Sequence, residues 1–87
     1  MAKKYDYEKI WVHRVPEEIL CNKKLLKELI SVKGKEIALT YATPELKNDK
    51  ELLNIVLEKA PFILGLIDSE NAQNMSIEYL LNKQQQN

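Results

Sequence analysis

The chain has 87 residues, 45% of them apolar and 30% charged, with 13 basic side chains against 13 acidic ones. That describes one small folded domain and argues against global disorder or a dedicated polycation. Leu and Ile dominate the apolar set and there are only two glycines, a balance that favours helices packed on helices over a sheet.

The zero net charge is unevenly spread. Residues 1–35 sum to +4 and residues 36–87 to −4, so two faces of opposite potential would form if the halves separate in space. Cys21 is the only cysteine; a chain this small without a disulfide is expected in the cytoplasm. Lys3 and Lys4 are followed by mixed polar residues, so no secretory leader is expected. No window approaches the ~18 apolar residues of a membrane span.

In chain order, residues 1–14 form a charged, aromatic arm. Tyr5, Tyr7 and Lys9 against Ile10 and Val12 give a broken alternation that suits a short strand or an extended arm. Tyr7, Ile10 and Trp11 also share a face at helical spacing, and a short helix from Tyr5 is the preferred reading. The arm holds the only Trp, His and Arg, with Trp11 expected to cap the end of the core.

A helical core follows over residues 15–81. Pro16 suits a first helical position, with Glu17 and Glu18 near the positive helix end. Asn22 reads as the cap of a second helix, in which Leu25, Leu26, Leu29 and Ile30 make one stripe opposite Lys23, Lys24, Lys27 and Glu28. Gly34 is its stop. A third helix over 35–42 would turn Ile37, Ala38 and Tyr41 inward. Thr43 and Pro44 restart the chain, and Leu46 is the apolar residue of a short turn. Asn48 and Glu51 read as a capping box. Leu52, Leu53, Ile55, Val56 and Leu57 then span an arc wide enough to make this the most buried helix. Pro61 opens a short apolar helix through Ile67. Residues 68–74 read as a polar loop, Met75 to Leu81 as a last amphipathic helix, and residues 82–87 as a fraying tail.

The chain partly matches itself at an offset of 27. Ile19 falls on Leu46, Leu25-Leu26 on Leu52-Leu53, Leu29-Ile30 on Val56-Leu57 and, more weakly, Leu53 on Leu80. Each unit would be a short turn, a helix of about ten residues and a second shorter helix, stable only when neighbours stack. The fold class expected is all-α: five or six short helices as stacked helical hairpins.

The run Ala38-Leu39-Thr40-Tyr41-Ala42-Thr43-Pro44-Glu45-Leu46-Lys47-Asn48-Asp49 and the Leu52-Leu53 that follows it carry a resemblance. It is similar to the tandem repeats called the domain of unknown function 4116, whose pattern is roughly Ala-Leu, one residue, Tyr-Ala-Ser, two residues, Leu-Lys-Asn-Asp and an apolar helix. The likeness covers roughly residues 16–68 and is best over 38–57. It departs at Pro61-Phe62, where those repeats tend to have an Asn-Gly-like turn. It implies a stacked helical array and no chemistry.

For chemistry the residues offer little. His13 and Cys21 are the only nucleophile–base pair and nothing in the sequence positions them. One Cys and one His fall short of a zinc set, and the paired carboxylates lie near helix starts, where the dipole accounts for them. The expectation is no enzyme and no cofactor. A single arginine makes direct nucleic-acid binding an unfavoured reading. The chain reads as a protein–protein interaction module whose candidate contact residues are Tyr5, Tyr7, Trp11, His13, Arg14, Lys23, Lys24 and Lys27. The alternative is a small inhibitor from a phage or other mobile element that blocks a host nucleic-acid enzyme such as a CRISPR effector. A homodimer is a further expectation, because the apolar arc of Leu52 to Leu57 and Phe62 to Ile67 exceeds what 87 residues can cover.

Overall fold

The computed structural model describes residues 5–85. Every regular element among them is helical: five α-helices and three 3-10 helices, more pieces than the five or six expected. The 3-10 helices are η1 (Tyr7–Lys9), η2 (Glu36–Tyr41) and η3 (Pro61–Leu66). The α-helices are α1 (Glu17–Leu20), α2 (Lys23–Ile30), α3 (Pro44–Lys47), α4 (Lys50–Lys59) and α5 (Glu70–Gln85). The order of a four-residue helix, a longer helix and a six-residue 3-10 helix therefore occurs twice before α5.

Local chemistry sets the starts. The Asn22 side chain accepts from Leu25 N–H at the head of α2, and Asp49 accepts from Glu51 and Leu52 N–H at the head of α4. Each oxygen takes a donor that the first turn cannot satisfy. Thr43 does the same for α3, with Pro44 at the first helical position. Pro16 occupies the cap position of α1 and the helix starts at Glu17, one residue later than the sequence suggests. The box from Asn48 is corrected too: Asp49 is the cap, and Asn48 is used elsewhere. Its side chain accepts from Asn71 N–H and its carbonyl from Asn71 Nδ2.

The segments after α2 and α4 are 3-10 helices, closed by bonds three residues apart: Ala38 N–H to Lys35, Ala42 to Leu39, Ile63 to Ala60 and Ile67 to Leu64. Three residues per turn put Glu36, Leu39 and Ala42 on one line, and all three are buried. Tyr41, expected inside at α-helical spacing, faces outward. In η3 the same period lines up Leu64 and Ile67, both fully buried; Ile63 is buried beside them, while Phe62 and Leu66 are exposed. The carboxylate of Glu36 accepts from Gly34 N–H, so this buried charge has a donor. Gly34 has φ +88° in the turn closed by Lys35 N–H to Val32. The chain turns there after α2 has already ended at Ile30.

The core is one cluster that runs through both halves. Ile19, Leu26, Leu29 and Ile30 from the first meet Leu52, Leu53, Val56 and Leu64 from the second, each fully enclosed. The helix expected to be the most buried, α4, contributes three such residues, as α2 does. Two similar joints tie successive pieces. The Leu20 carbonyl at the end of α1 accepts from Thr43 N–H, and the Lys47 carbonyl at the end of α3 accepts from Ser69 Oγ. Ser69 also caps α5 by accepting from Ala72 N–H. The last helix thus begins within the segment expected to be a loop, and it continues through Gln85 into the expected tail. The molecule measures 45 × 23 × 22 Å, about twice as long as it is wide.

Candidate protein-binding surfaces

The described part of the N-terminal arm, residues 5–14, holds the 3-10 helix η1 and a turn closed by Arg14 N–H to the Trp11 carbonyl, and is held down at three points. Tyr5 donates its hydroxyl to Glu18 Oε2 at 2.7 Å. Tyr7 is buried in the core. Burial raises the pKa of its hydroxyl, and a hydrogen bond to the Glu28 carboxylate adds to the shift. His13 Nδ1 lies 3.2 Å from the Tyr41 hydroxyl, with the two rings edge to face. Between these anchors Ile10 is half-buried, while Trp11 is 73% exposed. The expected helical face of Tyr7, Ile10 and Trp11 does not form, because the 3-10 turn ends at Lys9 and Ile10 is extended. Trp11 therefore stands clear of the core it was expected to cap. It lines a groove of about 580 Å³ with Lys9, Ile10, Arg14 and Pro16.

Lys23 and Lys27 lie on another part of the molecule and are engaged there. Lys23 Nζ is 3.0 Å from both Asp49 Oδ2 and Glu51 Oε1, and Lys27 pairs with Glu51 Oε2. The positive first half and negative second half thus meet along the seam between α2 and α4. Glu51 is pulled down to about 2, first by its hydrogen bond with Lys27 and then by that with Lys23. Lys23 is raised in return by Glu51 and then Asp49. Lys24 is exposed. The arm residues and the lysines expected to act together are not brought into one site: Trp11 and Arg14 line the groove, Tyr7 is core, and Lys23 and Lys27 bind the two halves together.

Of the apolar surface expected in excess, Leu52, Leu53 and Val56 are core, while Phe62 and Leu66 are exposed and join a stripe on α5 that the sequence reading did not single out. Among the described residues, five of the seven large exposed apolar side chains are on η3 and α5: Phe62, Leu66, Ile77, Leu80 and Leu81. The sequence signal was present, since Ile77, Leu80 and Leu81 sit at i, i+3, i+4, but it read as a core stripe. A third concavity, about 510 Å³ between α4 and α5, is lined by Asn54, Leu57, Asn71, Asn74 and neighbouring side chains.

Among the described residues no group of three or more His, Cys, Asp or Glu is placed to hold a metal ion. The two members of the one nucleophile–base pair have other partners, His13 with Tyr41 and Cys21 Sγ with the Glu18 carbonyl. No helix among the described residues is long and apolar enough to cross a membrane. Compared with known proteins, the chain matches no family model, no curated protein and no solved structure.

Proposed function

We propose that this chain is a small helical interaction module that takes a partner protein in the Trp11 groove. The observation that carries the reading is a large aromatic side chain held out in solvent by an arm that is otherwise anchored. An exposed Trp beside an Arg has the composition of a binding hot spot. The anchors at Tyr5, Tyr7 and His13 mean that little chain entropy is lost when the groove is filled. Arg14 and Lys9 rim it, so the partner feature that fits is a carboxylate next to an apolar side chain.

The scaffold beneath is, in this proposal, a stacked pair of helical hairpins of the kind that the domain of unknown function 4116 repeats imply. The repeated element order supports it. So do the caps at Asn22 and Asp49, 27 residues apart, and the joints at Leu20 and Lys47, also 27 apart.

The test is selection from a random peptide library, followed by titration of the recovered peptides. Trp11 is the only tryptophan, so its fluorescence reports occupancy of this groove directly. Peptides carrying Asp or Glu beside an aliphatic or aromatic residue should be recovered. Each should shift the emission to the blue and lose at least tenfold in affinity against Arg14→Ala. Recovery of peptides that bind Trp11→Ala and Arg14→Ala as well as the parent would refute the assignment.

A further inference from the structure

From the face that η3 and α5 present to solvent, we infer that the chain associates with a second copy of itself, face to face through these two elements. This inference rests on a different surface from the Trp11 groove and does not depend on it.

The face is continuous. Ile77, Leu80 and Leu81 follow one another at helical spacing along α5 and are each more than half exposed. Leu80 and Phe62 line one concavity of about 370 Å³ together with Pro61 and Tyr79, with Ser76 and Lys83 completing its wall. One turn before Ile77, Gln73 Nε2 donates to the carbonyls of Gly65 and Ile67, on either side of Leu66. Phe62, at 75% exposure, is thus joined through Leu80 to the α5 stripe, and Leu66 borders it near Gln73.

Its size decides the occupant. The five side chains together expose roughly 500 Å², at the upper end of the largest apolar patch on an ordinary monomer. Counted on two copies, that is about 1,000 Å², the lower bound for a specific interface before any flanking polar contacts are added. Two copies of the same patch complement each other in the two-fold arrangement that dominates small oligomers. A net charge of zero puts no long-range repulsion in the way.

Sedimentation equilibrium of the full chain from 1 to 200 μM tests this. The parent should move from 10.1 kDa to twice that mass within this range. Ile77→Glu with Leu81→Glu should hold it at the single-chain mass, with the helical circular dichroism unchanged. Phe62→Glu alone, on the other element, should raise the dimer dissociation constant at least tenfold. Trp11→Ala should leave the association as it is. A parent that stays at the single-chain mass at 200 μM overturns the inference, and so does a dimer that survives both sets of glutamates.

Discussion

Leu53 and Leu80 are the same residue type 27 positions apart, and the structure assigns them opposite surroundings. Leu53 is fully enclosed, while Leu80 is 54% exposed. Truncating Leu53 to Ala removes buried methyl groups and leaves a void that rigid neighbours on α2 and η3 close only in part. Such changes cost about 3–5 kcal/mol. A domain of this length has roughly 4–13 kcal/mol of stability in all, so Leu53→Ala should remove a quarter or more of it. Leu80→Ala leaves no enclosed void and gives up less than half of one side chain's burial, so its cost should stay below about 1 kcal/mol.

Urea denaturation followed by far-UV circular dichroism resolves the two. With a slope of about 1–1.5 kcal/mol per molar, the low end for small domains, the midpoints should differ by roughly 2 M. The measurement belongs at 1 μM, where association through the α5 face contributes least, because a self-association term would fall on Leu80 and not on Leu53. Equal midpoint shifts for the two variants would mean that α5 packs its leucine stripe inward. That would refute both the placement of this helix and the surface built on it.

The remaining predictions concern charge and backbone. Glu51 is held at about 2 by Lys27 and Lys23, below the value of about 4.3 of an unfolded chain. Its contribution to stability is therefore present above about pH 4.3 and lost as pH falls through 2. Glu51→Gln should flatten that part of a plot of urea midpoint against pH, and 0.5 M NaCl should weaken the effect in the parent, because the groups involved are partly exposed. Gly34→Ala should cost about 1–2 kcal/mol, since φ is +88° and an added Cβ meets nothing within 4 Å, which leaves backbone strain as the whole effect. Gly65→Ala, where the Cβ would meet only Ser76 Oγ at an ordinary 3.5 Å, should change stability by less than about 0.5 kcal/mol.

The parts of this fold that were legible in the sequence are those set by neighbours in the chain. Asn22 and Thr43 announce helix starts because a side-chain oxygen two or three residues before a free N–H needs no tertiary help. The all-helical class follows from the leucine spacing and the scarcity of glycine. The misreadings have one physical origin, in partners far along the chain or in a change of helical period. Asn48 looks like a cap, but Asn71, 23 residues on, takes both its side chain and its carbonyl, and Asp49 fills the role. Tyr41 fits the inner face of an α-helix. The segment winds as a 3-10 helix that turns Glu36, Leu39 and Ala42 inward with Ala38 buried beside them, while Tyr41 stays half exposed with its hydroxyl against His13. The stripe of α5 has the spacing of a core face, and periodicity alone does not say whether anything lies opposite. The same limit applied to the candidate site: Tyr7 and Trp11 are alike in composition, and only the extended backbone at Ile10 separates the buried ring from the exposed one.

The charge pattern illustrates how a sequence signal changes meaning once folded. The +4 and −4 halves suggest two faces able to steer a charged partner. In the structure the seam between α2 and α4 consumes part of both: Lys23 and Lys27 close on Asp49 and Glu51, and the cap of α4 is itself one of the carboxylates. An oxygen that caps a helix is fixed in place, so Lys23 meets a preorganised acceptor instead of two mobile chains. What remains for recognition is local. The Trp11 groove offers an aromatic ring with Lys9 and Arg14 at its rim, so an occupant held there by charge would lose strength in salt. The α5 face offers a mainly aliphatic surface bordered by Lys83, and an occupant held there by buried apolar area would be less sensitive to salt. The two surfaces differ in chemistry, and a chain of this size can present both because a single apolar core joins its two halves while the exposed ion pairs of the seam add little to that.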